Sequence, residues 1–125
     1  MVLRAALWLR HPSRPVKRLA VIAALALGTG VFCAWADEPP EFTLTIRNHK
    51  FEPAELAIPA DQKVKLNVVN ADATPEEFES HELNREKIVA GNSSIKVFVG
   101  PLSPGTYPFF GDFNQATAQG KLVVK

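Results

Sequence analysis

The sequence predicts an all-β fold, a small antiparallel β-sandwich, over residues 37–125 of its 125 residues. Short segments in which apolar and polar residues alternate recur along this part of the chain, and turns rich in proline, glycine and asparagine separate them. None of these segments shows the long periodicity of an amphipathic helix. The chain is therefore predicted to hold one domain with a modest core of phenylalanine, valine, leucine and isoleucine.

The first three predicted strands come before residue 70. In residues 42–46 the alternation places Phe42, Leu44 and Ile46 on one face. Residues 51–58 are predicted to form a single strand, in which Pro53 marks an edge or a bulge. Residues 63–68 alternate again, which directs three more apolar side chains inward: Val64, Leu66 and Val68.

A loop over residues 70–75 leads to the remaining strands. Residues 77–83 are predicted to form a strand around Phe78, and residues 84–89 a turn with a short strand. Residues 94–99 alternate, Pro104-Gly105 makes a turn, and strands at 106–110 and 120–124 follow. The prediction is thus seven to eight strands.

Residues 1–36 are predicted to be a signal peptide for the Sec pathway. A basic segment precedes an uncharged apolar run over residues 19–31, and Ala34-Trp35-Ala36 places small residues at a cleavage site. The apolar run is short for a bilayer span, although an uncleaved N-terminal anchor is the alternative. Cleavage would release residues 37–125 as a periplasmic protein that is not an integral membrane protein.

Charge and composition exclude several classes of function. The first 36 residues carry five basic and no acidic residues, whereas the remainder carries nine basic and 13 acidic residues, a net charge of −4. An acidic domain without a basic stripe argues against nucleic-acid binding. Cleavage removes Cys33, the only cysteine, and with it any disulfide, thiolate ligand or cysteine nucleophile. No catalytic motif is present, which favours a binding protein over an enzyme.

Residues 76–82 form the densest polar cluster, with four carboxylates and one imidazole. In a strand, period two places Glu77, Glu79 and His81 on one face, about 7 Å apart. Carboxylates with one imidazole suit iron, Cu(II), manganese or calcium. The alternative is a solvated strand face whose charges protect an edge. His49, at a predicted strand end, is interpreted as a surface residue or a ligand.

Three segments resemble the cupredoxin family. They are residues 70–79 (NADATPEEFE), residues 100–110 (GPLSPGTYPFF) and residues 120–124 (GKLVV). The resemblance implies a Greek-key sandwich with a metal site at one end. It places the blue-copper ligands of the family at four positions that hold other residue types here, which disfavours an electron carrier with type 1 copper: Glu76, Gly111, Asn114 and Ala118.

Because it lacks the blue-copper ligands, the sequence resembles the EfeO-like cupredoxin domains, which are associated with bacterial iron uptake. In that group a Glu-aromatic-Glu strand is thought to supply ligands for iron or copper, and Glu77-Phe78-Glu79 matches it. Gly111 stands where that group has a cysteine, and Asp112 could supply a replacement oxygen. The predicted metal ligands are Glu77, Glu79, His81, Asp112 and Glu76.

The resemblance implies a periplasmic protein that binds iron or copper, or oxidises iron, for an inner-membrane iron permease and a periplasmic iron-binding protein. The alternative is a metal-free scaffold that binds a protein partner through its acidic face.

Overall fold

The computed structural model describes Cys33 and residues 37–125. The rest of the predicted signal peptide lies outside the described residues. Within the described part of the chain, no helix is long and apolar enough to cross a membrane.

Nine strands and one short 3₁₀-helix, Asp112–Asn114, make up the regular structure of residues 37–125. The strands are β1 (Glu41–Arg47), β2 (Lys50–Glu52), β3 (Glu55–Ile58), β4 (Val64–Asn70), β5 (Glu76–Ser80), β6 (Arg85–Val89), β7 (Ser93–Val99), β8 (Gly105–Gly111) and β9 (Gln119–Val124). They form a four-stranded sheet in the order β2-β1-β4-β7 and a five-stranded sheet in the order β3-β9-β8-β5-β6. The predicted all-β sandwich is confirmed, with nine strands rather than seven or eight.

The ninth strand arises because residues 51–58 contribute to both sheets. β2 pairs with β1, whereas β3 pairs with β9 in the other sheet. Pro53 lies between them and has no N–H to donate to a ladder, so the chain leaves one sheet at this point. The prediction of a single strand here is wrong.

Both sheets are mixed rather than antiparallel. β1 pairs with β4 in parallel, and β3 pairs with β9 in parallel, while the other pairs are antiparallel. The predicted antiparallel arrangement is wrong for these two pairs. Alternation along a strand indicates which side chains face the core. Whether two paired strands run parallel or antiparallel depends instead on the connections between those strands.

The core lies between the sheets and follows the predicted alternation. Leu44, Ile46, Val64, Leu66 and Val68 are completely buried. Three phenylalanines from different strands pack together, with ring centroids 4.9 to 6.2 Å apart: Phe51, Phe78 and Phe109. Their packing holds β5 and β8 against the opposite sheet, because truncating a buried phenylalanine lowers the free energy of unfolding by roughly 3–5 kcal/mol.

β5 is shorter than predicted, and its end sets the geometry of the polar cluster. The Ser80 hydroxyl donates to the Pro108 carbonyl oxygen at 2.6 Å and accepts from the Leu83 N–H at 3.2 Å. The Asn84 N–H donates to the His81 carbonyl oxygen at 3.1 Å, and Asn84 has a φ of 50°. Residues 81–84 therefore form a turn rather than the end of a strand, and His81 belongs to this turn.

Candidate metal centre

β5 presents two glutamates on the outer face of the five-stranded sheet. Phe78 is completely buried, so Glu77 and Glu79, its neighbours along the strand, project from the opposite face. Glu77 is nevertheless only 9% exposed, because it lies between the neighbouring strands rather than at a free edge. The face is thus partly enclosed, unlike an ordinary solvated strand surface.

Asp112 joins these two glutamates from another part of the chain. Gly111, the last residue of β8, pairs with Phe78, which brings the start of the 3₁₀-helix beside β5. Oxygen atoms of Glu77, Glu79 and Asp112 all lie within 4.8 Å of one another. This spacing allows three carboxylates to reach one cation.

The pKa of the Glu77 carboxyl is raised above its ordinary value of 4.5. The largest cause is a hydrogen bond with Glu86, followed by burial and by the negative charges of Glu86, Asp112 and Glu79. Every one of these causes disfavours the ionised form. A bound cation would act in the opposite direction, since it favours carboxylates over carboxylic acids.

His81 lies beside this group without entering it. Its Nδ1 is 3.5 Å from Oε1 of Glu79, and its ring packs against Phe110 with centroids 5.4 Å apart. The side chain is 74% exposed. The structure therefore brings His81 to one of the three carboxylates, from a turn rather than from the strand predicted to hold it.

Glu76 faces the interior, away from Glu77 and Glu79. It is 1% exposed, and both of its oxygens are already in use. Oε1 accepts from the backbone N–H groups of Glu77 and Phe113, each at 2.9 Å, and Oε2 accepts from Nδ2 of Asn114 at 2.7 Å. These bonds tie β5 to the 3₁₀-helix and leave Glu76 apart from the three-carboxylate group.

The four positions that the cupredoxin resemblance assigns to copper ligands do converge in space. A Cβ atom at Gly111 would lie 2.6 Å from Cδ of Glu76 and 2.7 Å from Cβ of Ala118. Asn114 closes the group, since its Nδ2 donates a hydrogen bond to Oε2 of Glu76. The Glu76 carboxylate and its hydrogen bonds fill the middle of this group.

His49 lies elsewhere, in the turn between β1 and β2. Its backbone N–H donates to Oδ2 of Asp72 at 2.9 Å, and its Nδ1 is 3.6 Å from the same oxygen. This hydrogen bond, with a second from the Asn48 N–H, lowers the pKa of Asp72. His49 therefore contacts one carboxylate that fastens two loops together.

Sequence patterns did not single out Glu86, which contacts Glu77. Glu86 is the register partner of Glu79 across the β5–β6 hairpin. Alternation within β6 would have placed Glu86 on the same face as Ile88. Its position opposite Glu79, however, depends on the length of the turn at residues 81–84, which the sequence prediction placed inside a strand.

Comparison with known proteins gave one curated relative and many similar structures. An uncharacterised protein of Rickettsia prowazekii (strain Madrid E) is 51% identical over 84 residues, which cover 67% of each chain.

Auracyanin A, a blue copper protein of Chloroflexus aurantiacus, matches 70% of this chain and all of its own, with a TM-score of 0.60 and 17% identity. The metal-binding domain of the Cu(I)-exporting ATPase CopA of Streptococcus pneumoniae D39 matches 68% of this chain and 84% of its own, with a TM-score of 0.61 and 11% identity.

At these identities the two structures establish the fold alone. The profile of the cupredoxin-like domain matches residues 17–124, most of the chain. Together with the nine-stranded sandwich, this match shows that the chain belongs to the cupredoxin-like domain family.

Proposed function

We propose that this protein is a periplasmic metal-binding protein that binds iron or copper as an accessory to metal uptake. The observation that carries the proposal is the group of three carboxylates, Glu77, Glu79 and Asp112, whose oxygens lie within 4.8 Å of one another. His81 lies at the margin of the group and could add a nitrogen ligand through the turn. The metal is cargo, passed to an iron permease and a periplasmic iron-binding protein.

A type 1 copper ion does not fit the four convergent positions. Such a centre needs a thiolate and two imidazoles, and residues 37–125 contain no cysteine. Gly111 has no room for a larger side chain, since even a Cβ atom would overlap Glu76. The buried Glu76 carboxylate occupies this space through three internal hydrogen bonds. This supports assignment to the cupredoxin-like domains that lack the blue-copper ligands, including the EfeO-like group.

The proposal is tested by calorimetry with Fe(III)-citrate and with Cu(II), using the purified protein and the variants Glu77→Gln and Glu79→Gln. Loss of one carboxylate from a three-oxygen site should weaken binding at least about tenfold, or roughly 1.4 kcal/mol. Glu82→Gln, in the exposed turn, is the matched control and should bind like the wild type. Equal binding by all variants would show that the cluster is only a solvated face.

A metal-free scaffold that binds a protein partner is the second candidate, and one observation favours it. Phe113, next to Asp112, is 47% exposed, and Ile88, the register partner of Glu77, is 58% exposed. Exposed apolar side chains beside a charged cluster are typical of docking surfaces. A gene for an iron permease beside the gene for this protein would favour the metal-binding function over the scaffold.

A further inference from the structure

A basic groove lies where β6 and β7, the edge strands of the two sheets, meet. It measures about 230 Å³ and is lined by residues of these two strands: Arg85, Glu86, Lys87, Lys96, Val97 and Phe98. Three of these residues are cations and one is a carboxylate. Residues 37–125 as a whole carry nine basic and 13 acidic residues, a net charge of −4, so the groove reverses the charge of the domain locally.

Phe98 gives the groove an exposed aromatic surface. Val97 and Val99 are buried, so the alternation of β7 turns Phe98 to the outer face of the four-stranded sheet, where it is 40% exposed. Lys65 is its register partner on β4. The Nζ atoms of Lys63 and Lys65 lie 4.8 and 6.0 Å from the centroid of the ring. A ring face attracts cations at these distances, so two further positive charges lie beside the groove.

Hydrogen bonds hold the cations of β6 in place without neutralising them. Arg85 Nε donates to the Phe98 carbonyl oxygen at 2.7 Å. Lys87 Nζ donates to the Lys96 carbonyl oxygen at 3.0 Å. Carbonyl oxygens carry no formal charge, and within residues 37–125 no ion pair involves Arg85, Lys87 or Lys63. Arg85 and Lys87 thus present ordered charges, and groups that are already ordered lose less entropy when a partner binds.

The carboxylates near the groove are too few to balance its cations. The two oxygens of Glu41 are shared, since one lies 2.6 Å from Nζ of Lys96 and the other 3.7 Å from Nζ of Lys65. Glu38, which is 90% exposed, lies 4.0 Å from the same atom of Lys65. With Glu86, three carboxylates face the five cations of the groove and its margin, which leaves a net positive charge of two.

The size and the polarity of the groove indicate what fits it. Small-molecule sites usually measure about 300–1,000 Å³. A groove of about 230 Å³ therefore suits a single side chain of a larger partner. The exposed face of Phe98 favours an apolar side chain, and the surrounding lysines and arginine favour carboxylates on either side of it.

We propose that this groove binds an extended acidic segment of a protein partner, with one apolar side chain on Phe98 and carboxylates paired with the cations around it. A narrow segment fits better than an anionic membrane, because a broad negative surface would also face the carboxylates of this acidic domain. Charges more than about 8 Å apart are largely screened at physiological ionic strength, so a segment within the groove interacts mainly with the local cations. This surface does not include the three-carboxylate group, and the proposal does not depend on metal binding.

The test measures binding of a dye-labelled synthetic peptide, Asp-Glu-Leu-Glu-Asp with blocked ends, to the purified protein by fluorescence anisotropy. The Kd should be below about 1 mM and should rise with added salt, because the pairing is electrostatic. Two peptides are the controls for the ligand. One has serine in place of leucine, and the other has amides in place of all four carboxylates. Each should bind at least about tenfold more weakly.

Two variants test the protein side of the contact. Phe98→Ala should weaken binding of the acidic peptide at least about tenfold, since it removes the aromatic anchor. Lys63→Gln, at an exposed position outside the strands, should weaken it about two- to fivefold and tests the groove without altering a packed side chain. Lys50→Gln is the matched control, because Lys50 is exposed on β2, at the far edge of the same sheet, and its substitution changes the net charge equally. This variant should bind like the wild type.

Four results would overturn the inference. A Kd above about 1 mM, or equal binding of the three peptides, would show that the groove does not recognise this chemistry. Equal peptide binding by the wild type, Phe98→Ala and Lys63→Gln would place the peptide elsewhere on the protein. Cosedimentation with phosphatidylglycerol vesicles in place of peptide binding, lost in Phe98→Ala, would identify a membrane as the occupant. Salt-sensitive self-association that Phe98→Ala abolishes would identify a second copy of this chain.

Discussion

At Glu77, the hydrogen bond with Glu86, burial and the negative charges of the neighbouring carboxylates all disfavour the ionised carboxyl. They raise the pKa of its carboxyl above 4.5, so the folded protein holds this proton at pH values where the unfolded chain has lost it. The contribution of this carboxyl to the free energy of unfolding is therefore fully present below its pKa in the unfolded chain. It is lost as the pH rises through the raised pKa of the folded protein. Above the raised pKa, the folded protein carries an unfavourable negative charge on Glu77, which a bound cation would offset.

Replacing Glu77 by glutamine should consequently stabilise the metal-free protein. In the presence of a chelator, the free energy of unfolding of Glu77→Gln should exceed that of the wild type at about pH 7 and converge with it below about pH 4.5. Urea unfolding at several pH values measures this difference, with Glu52→Gln as the control for net charge. A Glu77→Gln protein that is less stable than the wild type at neutral pH would contradict the assigned cause of the pKa shift.

Among the structural elements, the turn after β5 has the largest influence on the site. Ser80 ends the strand because its hydroxyl bridges the Pro108 carbonyl oxygen and the Leu83 N–H. This turn sets the register in which Glu86 faces Glu79. It also removes His81 from the strand face and leaves it packed on Phe110.

Ser80→Ala should therefore lower the free energy of unfolding by about 1–3 kcal/mol, since two hydrogen bonds of a buried hydroxyl are lost. Ser94→Ala, at an exposed position of β7, should stay within about 0.5 kcal/mol of the wild type. Denaturant unfolding of the two variants measures both values. Equal stability of the Ser80 variant and the wild type would mean that the turn is held by other contacts.

Strand alternation was sufficient to predict most elements of this fold and the two glutamates of β5. It succeeded where one face is buried, as in β1 and β4, because period two then distinguishes inside from outside. It failed at Pro53, where the chain changes sheets, and at Ser80, where a side chain rather than a glycine or proline ends the strand. Glu86 was missed because its position opposite Glu79 depends on where β5 ends and on the length of the turn at residues 81–84.

For the molecule as a whole, the sequence divides into a basic segment, residues 1–36, which is predicted to be a signal peptide, and an acidic remainder. The structure describes the domain, whose strands begin at Glu41, four residues after the predicted cleavage site. Among the described residues, every strand lies after the predicted cleavage site, since β1 begins at Glu41. Residues 1–36 carry five basic and no acidic residues, so cleavage at the predicted site would remove a positive charge of five.

Protein recovered from the periplasm should accordingly begin at Asp37. The expected reason is the order of basic segment, apolar run and small residues before that position. N-terminal sequencing of the periplasmic fraction measures the start site, and the membrane fraction serves as the comparison. Intact residues 1–36 on a membrane-bound form would show that the segment is an anchor.

The packing around Gly111 also limits the evolutionary routes open to this protein. Gly111→Cys alone would force a side chain against the Glu76 carboxylate, and crowding of this kind in a packed interior costs about 1–3 kcal/mol. Glu76→His alone would leave the Asn114 amide and two backbone N–H groups without their acceptor. Both of these single steps toward a thiolate–imidazole centre are therefore penalised before any copper could compensate. The effect of a cysteine at Gly111 thus depends on the residue at position 76, which makes the two substitutions epistatic.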